Sequence, residues 1–280
     1  MIPNQFTYKK ANSLDEALAM LQEHGDDAKL LAGGHSLVPA LKLRLNDPEV
    51  LIDISKIDSL RSITEQDGHI KIGAMVTHGE IADSDLLKEK VSFFAEGADL
   101  IGDVQVRNRG SIGGSRAHAD PAADWPAILL AADATIHVQS TEGSRDIAAE
   151  DFFHGLFMTA VADNEIVTAI SVPVSGARTH YVKFMQPASR FAIVGCAVSV
   201  GGNGTAENVR VAFNGVSSKP FRDKAVESAL EGQSFNADSA ATAAANAAED
   251  VSIISDHYAS EEYRKQMAKV YCKRALQGLA

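Results

Sequence analysis

The chain has 280 residues, 37 acidic against 26 basic side chains, a formal net charge of −11, 45% hydrophobic residues and 22% charged ones. That is enough chain for two domains, or one elaborate domain, with an unstapled core, and the mixture excludes a disordered, collagen-like or coiled-coil protein. The acidic balance argues against nucleic acid or an anionic membrane surface as main partner, while two isolated cysteines, Cys196 and Cys272, exclude a cysteine-held cluster or zinc site built by this chain alone.

Ser13 and Glu16 form a capping box that opens a helix with Leu14, Ala17, Leu18 and Leu21 on one face and Gly25 past its end. Residues 29–32 then read as a short buried strand running into Gly33-Gly34-His35-Ser36. Helical spacing from Leu37 to Leu45 meets an early proline, Pro39. Residues 50–54 and 70–74 read as strands, the second with clean alternation. A longer helix is expected over 86–101, a second glycine-rich turn over 110–115, a helix over 121–131, and strands over 135–138 and 166–172. Residues 173–177 are the best linker candidate.

Beyond the linker, 181–185, 191–200 and 209–216 suggest a three-stranded antiparallel sheet with a hairpin at Gly201-Gly202-Asn203-Gly204. Helices follow over 223–231, 237–250 and 260–278. The predicted fold class is α+β, a larger mixed region and then a smaller sheet with helices on one face. No apolar run approaches the ~18 residues of a membrane span and no secretory leader is visible, so a cytoplasmic location is expected.

Two loops carry the chemistry. Ala32-Gly-Gly-His-Ser36 and Ser111-Ile-Gly-Gly-Ser115 each join two glycines to small hydroxyl residues. Glycine lets backbone approach a ligand, and successive amides in such a turn form an anion-binding nest. Neither loop holds a lysine or fits Gly-x-Gly-x-x-Gly, so Walker and Rossmann mechanisms are not supported. Either loop alone could be a tight turn. Asp120 and Asp124 follow the second loop; Asp120 before Pro121 also reads as a helix cap, whereas Asp124 falls inside the expected helix. The nine histidines make no metal signature, no Gly-x-Ser-x-Gly elbow is present, and both cysteines sit in apolar elements.

Taken together, the loops are far more specific. Leu31-Ala-Gly-Gly-His-Ser-Leu-Val-Pro39 resembles the first flavin-diphosphate loop of the FAD-binding medium subunits of molybdenum hydroxylases, the carbon monoxide dehydrogenase and xanthine dehydrogenase family. The stretch from Ile101 through Arg107-Asn-Arg-Gly-Ser-Ile-Gly-Gly-Ser115, then Ala117-His-Ala-Asp-Pro-Ala-Ala-Asp124, is similar to the second. Met1-Ile-Pro3, Phe191-Ala-Ile-Val-Gly195, Glu262-Tyr-Arg264 and Lys273-Arg-Ala-Leu276 also match, so the resemblance covers essentially the whole chain.

The resemblance implies a PCMH-type, vanillyl-alcohol-oxidase-like FAD domain over 1–176, with subdomains of about 1–57 and 58–176, and a C-terminal domain over 177–280. It implies FAD in this chain, with Ala32, Gly33, Gly34, His35, Ser36, Ser111, Ile112, Gly113, Gly114 and Ser115 at the diphosphate and Leu37 beside them. Asp124 is expected at the ribose or adenine side, Ile166 and Val167 near the adenine, and Ile101 and Lys183 near the flavin ring. A surface lysine at a strand edge is the plainer reading of Lys183. The family carries serine's place at 111 more often as threonine, an apolar residue at 116 and an acidic one at 190, so Arg116 and Arg190 depart from it.

Implied partners are a large molybdopterin-binding subunit and a small subunit with two 2Fe–2S clusters, assembled as a dimer of heterotrimers. The implied role is electron transfer from those clusters through FAD to an external acceptor such as NAD or quinone, with no substrate-oxidising residue in this chain. Two other readings stand beside it: a free-standing FAD-dependent oxidase or reductase, and a non-catalytic assembly protein with a vestigial flavin cleft.

Overall fold

The computed structural model describes residues 2–280. Strand β1 (Thr7–Lys10) leads to Ser13, whose hydroxyl accepts the Glu16 amide and so starts α1 (Leu14–His24), while the Glu16 carboxylate accepts the Asn12 amide (2.7 Å) instead of closing the expected capping box on Ser13. Next come β2 (Ala28–Leu31), α2 (Leu37–Lys42) and β3 (Val50–Asp53). β1 and β2 flank β3 and run parallel to it, with Lys9 and Leu30 both opposite Ile52. Parallel neighbours need a crossover, and α1 supplies it, burying Ala17, Leu18 and Leu21 under the sheet.

A second body begins with β4 (Ile63–Gln66) and β5 (His69–Gly73). Six helices follow: α3 (His78–Asp83), α4 (Asp85–Lys90), α5 (Phe93–Leu100), α6 (Val104–Arg107), α7 (Ile112–His118) and α8 (Trp125–Ala131). Then come β6 (Thr135–Ser140), β7 (Gly143–Ala148), α9 (Ala149–Phe152), the small hairpin β8 (Phe153–Gly155) and β9 (Met158–Thr159), and β10 (Ile166–Pro173). The sheet order is β4-β5-β10-β6-β7, antiparallel where β10 meets β5 and β6. Ile70, Ile72, Ile136, Val138, Ile170 and Val172 form its buried face, packed with Phe93, Phe94 and Trp125.

Three local expectations change here. The helix over 86–101 is broken at Val91–Ser92, because the Ser92 hydroxyl donates to the Thr179 carbonyl at 2.9 Å and ties this point to the C-terminal sheet. The helix expected from Pro121 starts at Trp125, since Asp120 accepts the Ala122 amide in a local turn instead of capping a helix. The second glycine turn does not stay a turn: Ser111 caps α7 by accepting the Gly114 amide.

The third body holds β11 (Arg178–Met185), β12 (Ala192–Gly201) and β13 (Glu207–Asn214), joined antiparallel, with a two-residue β14 (Phe221–Arg222) at the edge. Helices α10 (Lys224–Leu230), α11 (Ala237–Ala244) and α12 (Glu261–Gln277) cover one face. The alanine-rich helix stops short of 250, and Asp223 captures the amide of Ala248, which has φ +57°. The whole is α+β.

Arg264 of α12 gathers strand ends and the 254–256 loop within this body. It is 2% exposed and donates to the carbonyls of Ile193 (2.6 Å) and Gly215 (2.8 Å) while pairing with Asp256. From those same strand ends the Ala192 amide donates to Ala122 O (3.0 Å) and the Gly215 amide to Pro121 O (2.7 Å). Residues 120–124 are thereby held from the C-terminal side.

Candidate functional site

The three bodies meet at a cleft of about 780 Å³, lined by the loop after β2, residues 74–78, Ile101, the loop before α7, Asp120 to Asp124, Ile166, Val167 and the β11–β12 hairpin. Its two glycine loops touch. A Cβ on Gly33 would lie 2.1 Å from the Arg109 carbonyl oxygen, so only glycine lets the first loop rest on the second.

The loops differ as donors. No acceptor among the described residues takes the amides of Gly33, Gly34, His35 or Ser36, which leaves them for a ligand. In the second loop Ile112 donates to Val76 O (3.0 Å), Gly113 to Ala74 O (2.9 Å), Gly114 to Ser111 Oγ (3.2 Å) and Ser115 to Ser111 O (3.0 Å). Of the two loops, the first keeps the free amides that a nest requires. The second is a capped helix start laced to residues 74–76, and it offers the cleft side chains more than amides.

Ala32, Gly33, Gly34, His35, Ser36, Leu37, Ile101, Ser111, Gly113, Gly114, Ser115, Asp124, Ile166 and Val167 all line the cleft. Ile112 and Lys183 do not. Ile112 is fully buried in the core beneath the loop. The Lys183 side chain is fully buried too, and its ammonium lies 2.8 Å from Asp124 Oδ1 and donates to the carbonyls of Leu100 and Arg190, both at 2.8 Å. Neither a surface lysine nor a side chain open to the cleft describes it. Asp124 also accepts the Tyr181 hydroxyl (2.7 Å), and burial pushes its carboxyl up from the usual range against the pull of Lys183. Burial and the Asp124 charge push the Tyr181 phenol well up.

His78 does not stand out in the sequence, being one histidine among nine. It lies at the start of α3, 4% exposed, in the cleft wall beside Gly110. No local pattern marks it, because its amide reaches the second loop only in the fold, donating to Gly110 O at 3.0 Å. The two cysteines lie together in the C-terminal core, fully buried, which pushes the Cys196 thiol well up.

The cleft suits a long dinucleotide. Free amides and the hydroxyls of Ser36 and Ser115 match diphosphate oxygens, the apolar walls at Ile101, Val106, Ile166 and Val167 match flat rings, and the volume lies in the upper part of the roughly 300–1,000 Å³ range of ligand pockets.

Comparison with known proteins agrees. Residues 4–175 match the family described as the FAD binding domain in molybdopterin dehydrogenase, and residues 179–279 the CO dehydrogenase flavoprotein C-terminal domain. The chain belongs to the FAD-binding medium subunits of the molybdenum-dependent hydroxylases and dehydrogenases. It is 38% identical to the glyceraldehyde dehydrogenase medium chain of Sulfolobus acidocaldarius, over 100% of both chains. It is also 38% identical to the carbon monoxide dehydrogenase medium chain of Hydrogenophaga pseudoflava, over 99% of this chain and 97% of the relative. A solved carbon monoxide dehydrogenase of the latter organism, lacking the Mo-pyranopterin moiety, superimposes with a TM-score of 0.95 at 39% identity, covering 100% of this chain and 98% of that one. This chain is thus an oxidoreductase subunit that binds FAD. Among the described residues no helix is long and apolar enough to cross a membrane.

Proposed function

We propose that this chain is the flavin-bearing electron-transfer subunit of a three-chain molybdenum hydroxylase, which takes electrons from the 2Fe–2S clusters of a small partner and passes them to an external acceptor such as NAD or quinone. The observation that carries this is the first loop: four unspent amides, Gly33 to Ser36, resting through Gly33 on the second loop. The amides hold the diphosphate, Ser36 and Ser115 add hydroxyl donors, and Ile101 and Val106 supply apolar wall to a ring. FAD, when bound, supplies the change between two-electron and one-electron chemistry. Lys183 acts by holding the Ile101 and Phe191 segments in place from behind, through the Leu100 and Arg190 carbonyls.

Large partners are supported by the cleft mouth. Leu45, Phe157 and Phe191 line it yet remain 75%, 51% and 40% exposed, an apolar rim of the kind that marks a contact surface. Both cysteines are shut in the C-terminal core, so the clusters belong to another chain. The two relatives at 38% identity are named for different substrates, glyceraldehyde and carbon monoxide, which fits a substrate pocket on the large molybdopterin-binding subunit. A dimer of such heterotrimers is the assembly proposed.

Anaerobic mixing tests the reading. Flavin on this chain should stay oxidised when substrate is added to it alone and bleach when both partner chains are present. Bleaching by small substrates without partners would favour the free-standing oxidase, and a chain unable to hold flavin would favour the assembly protein.

A further inference from the structure

Most polar groups around the cleft are either satisfied within the chain or open to solvent. His78 is neither. The Trp125 indole N–H donates to His78 Nδ1 at 3.3 Å. Because indole nitrogen can only donate, Nδ1 must be the bare acceptor, and the ring proton of the neutral imidazole sits on Nε2. That Nε2–H makes no hydrogen bond among the described residues, although the side chain is in the cleft wall and the residue only 4% exposed. A Cβ on Gly110 would stand 2.8 Å from Nε2, so the glycine leaves the space beside the donor open.

From this geometry we propose that His78 is a further cofactor contact, donating Nε2–H to a phosphoryl oxygen of the FAD diphosphate at the second glycine loop. It rests on the flavin assignment above and deepens it. The Ile112 to Ser115 amides are spent inside the chain, so this side of the cleft needs side-chain donors, and His78 is tied to it through the Gly110 carbonyl.

Three features make it a fixed, neutral donor. Trp125 locks the tautomer. The charged or titratable groups that face the ring are Arg116, Arg107 and His35, all of which oppose a second proton. Burial acts the same way, and together these hold the imidazole down to about 3. The ring therefore keeps one proton at one place through the neutral range.

Two substitutions separate this role from packing. His78→Asn keeps an acceptor near the δ position for Trp125 but removes the donor at ε; His78→Gln keeps a donor near ε and loses the acceptor. In the full chain stripped of flavin, His78→Asn should weaken FAD binding about tenfold or more, as loss of a hydrogen bond to a charged group does, while His78→Gln stays within about threefold of the parent. ADP, which carries the diphosphate without the flavin, should lose the same factor in His78→Asn when measured by competition. Long-range ¹H–¹⁵N spectra should show the proton on Nε2 in the free chain and shift that resonance when FAD binds. The inference is overturned if His78→Asn binds FAD or ADP as tightly as the parent, if affinity in both variants follows stability alone, or if the proton is on Nδ1. A parent chain that takes up no FAD overturns the flavin assignment instead.

Discussion

Lys183 Nζ and Asp124 Oδ1 lie 2.8 Å apart with side chains 0% and 5% exposed, forming an ion pair that reaches from the C-terminal sheet to the wall of the cleft. The two remaining ammonium protons go to Leu100 O and Arg190 O. One lysine thus fastens the end of α5, the start of α8 and the β11–β12 hairpin. Taking charges out of water is costly, and the pair persists because every donor has a partner. Lys183→Met should cost about 3–5 kcal/mol by leaving a buried carboxylate without its cation, whereas Lys183→Met with Asp124→Leu should cost clearly less than the sum of the two single changes. Urea unfolding of the four chains measures this.

Gly33 makes the loop contact testable. Alanine there would place Cβ 2.1 Å from Arg109 O, and backbone cannot swing aside as a side chain does. Gly33→Ala should cost about 1–3 kcal/mol through overpacking and weaken FAD binding by parting the loops. Gly155→Ala, whose Cβ meets nothing nearer than the Met158 sulfur at 3.8 Å, should leave FAD affinity unchanged in the same titration.

Arg116 is fully buried, over the rings of Trp125 and Phe153, and its Nε and Nη1 find no hydrogen-bond partner. Guanidinium does not give up its proton in proteins, so burial leaves a poorly compensated charge. Arg116→Met should make the FAD-free chain more stable by about 1–4 kcal/mol. Thermal unfolding checks the sign, and a large loss would mean that the guanidinium is compensated after all.

Two histidines give opposite pH dependences. His78 is held down to about 3 against an ordinary 6.5, so between those values the unfolded chain binds more protons than the folded one. Stability from this group is present above about 6.5 and is lost as pH falls through the window, by up to about 1.4 kcal/mol per pH unit. His78→Asn should remove that slope. His180 goes the other way, because its hydrogen bond to Glu96 raises it despite burial. Its contribution is complete below about 6.5 and disappears as pH rises through the raised value. Glu96→Gln should flatten the alkaline side, and denaturant midpoints from pH 4 to 9 would show both.

Much of this was readable in the residues. Ser13 and Ser260 announce α1 and α12 because a cap is a local device, and the Ile70 to Gly73 alternation announces a half-buried strand. The glycine loops stand out in the sequence, and their meeting does not, since the contact of Gly33 with Arg109 joins residues far apart in sequence. β7 escaped because Gly143–Ala148 is an exposed edge strand with one buried residue, Ile147, and no apolar alternation. Lys183 misled for the converse reason: a lysine in an alternating strand reads as solvated, and the carboxylate and two carbonyls that bury it come from other elements. His78 shows the same limit, because its tautomer depends on Trp125.

Whether this cleft holds FAD is tested by a titration of the purified, flavin-free chain, followed by absorbance between 350 and 500 nm and by retention of flavin through gel filtration. One FAD per chain should bind and stay bound without partner subunits, with a marked loss of affinity in Gly33→Ala. A chain that stays colourless after incubation with excess FAD, or that holds it equally well when the two loops are forced apart, would contradict the assignment of FAD to this cleft.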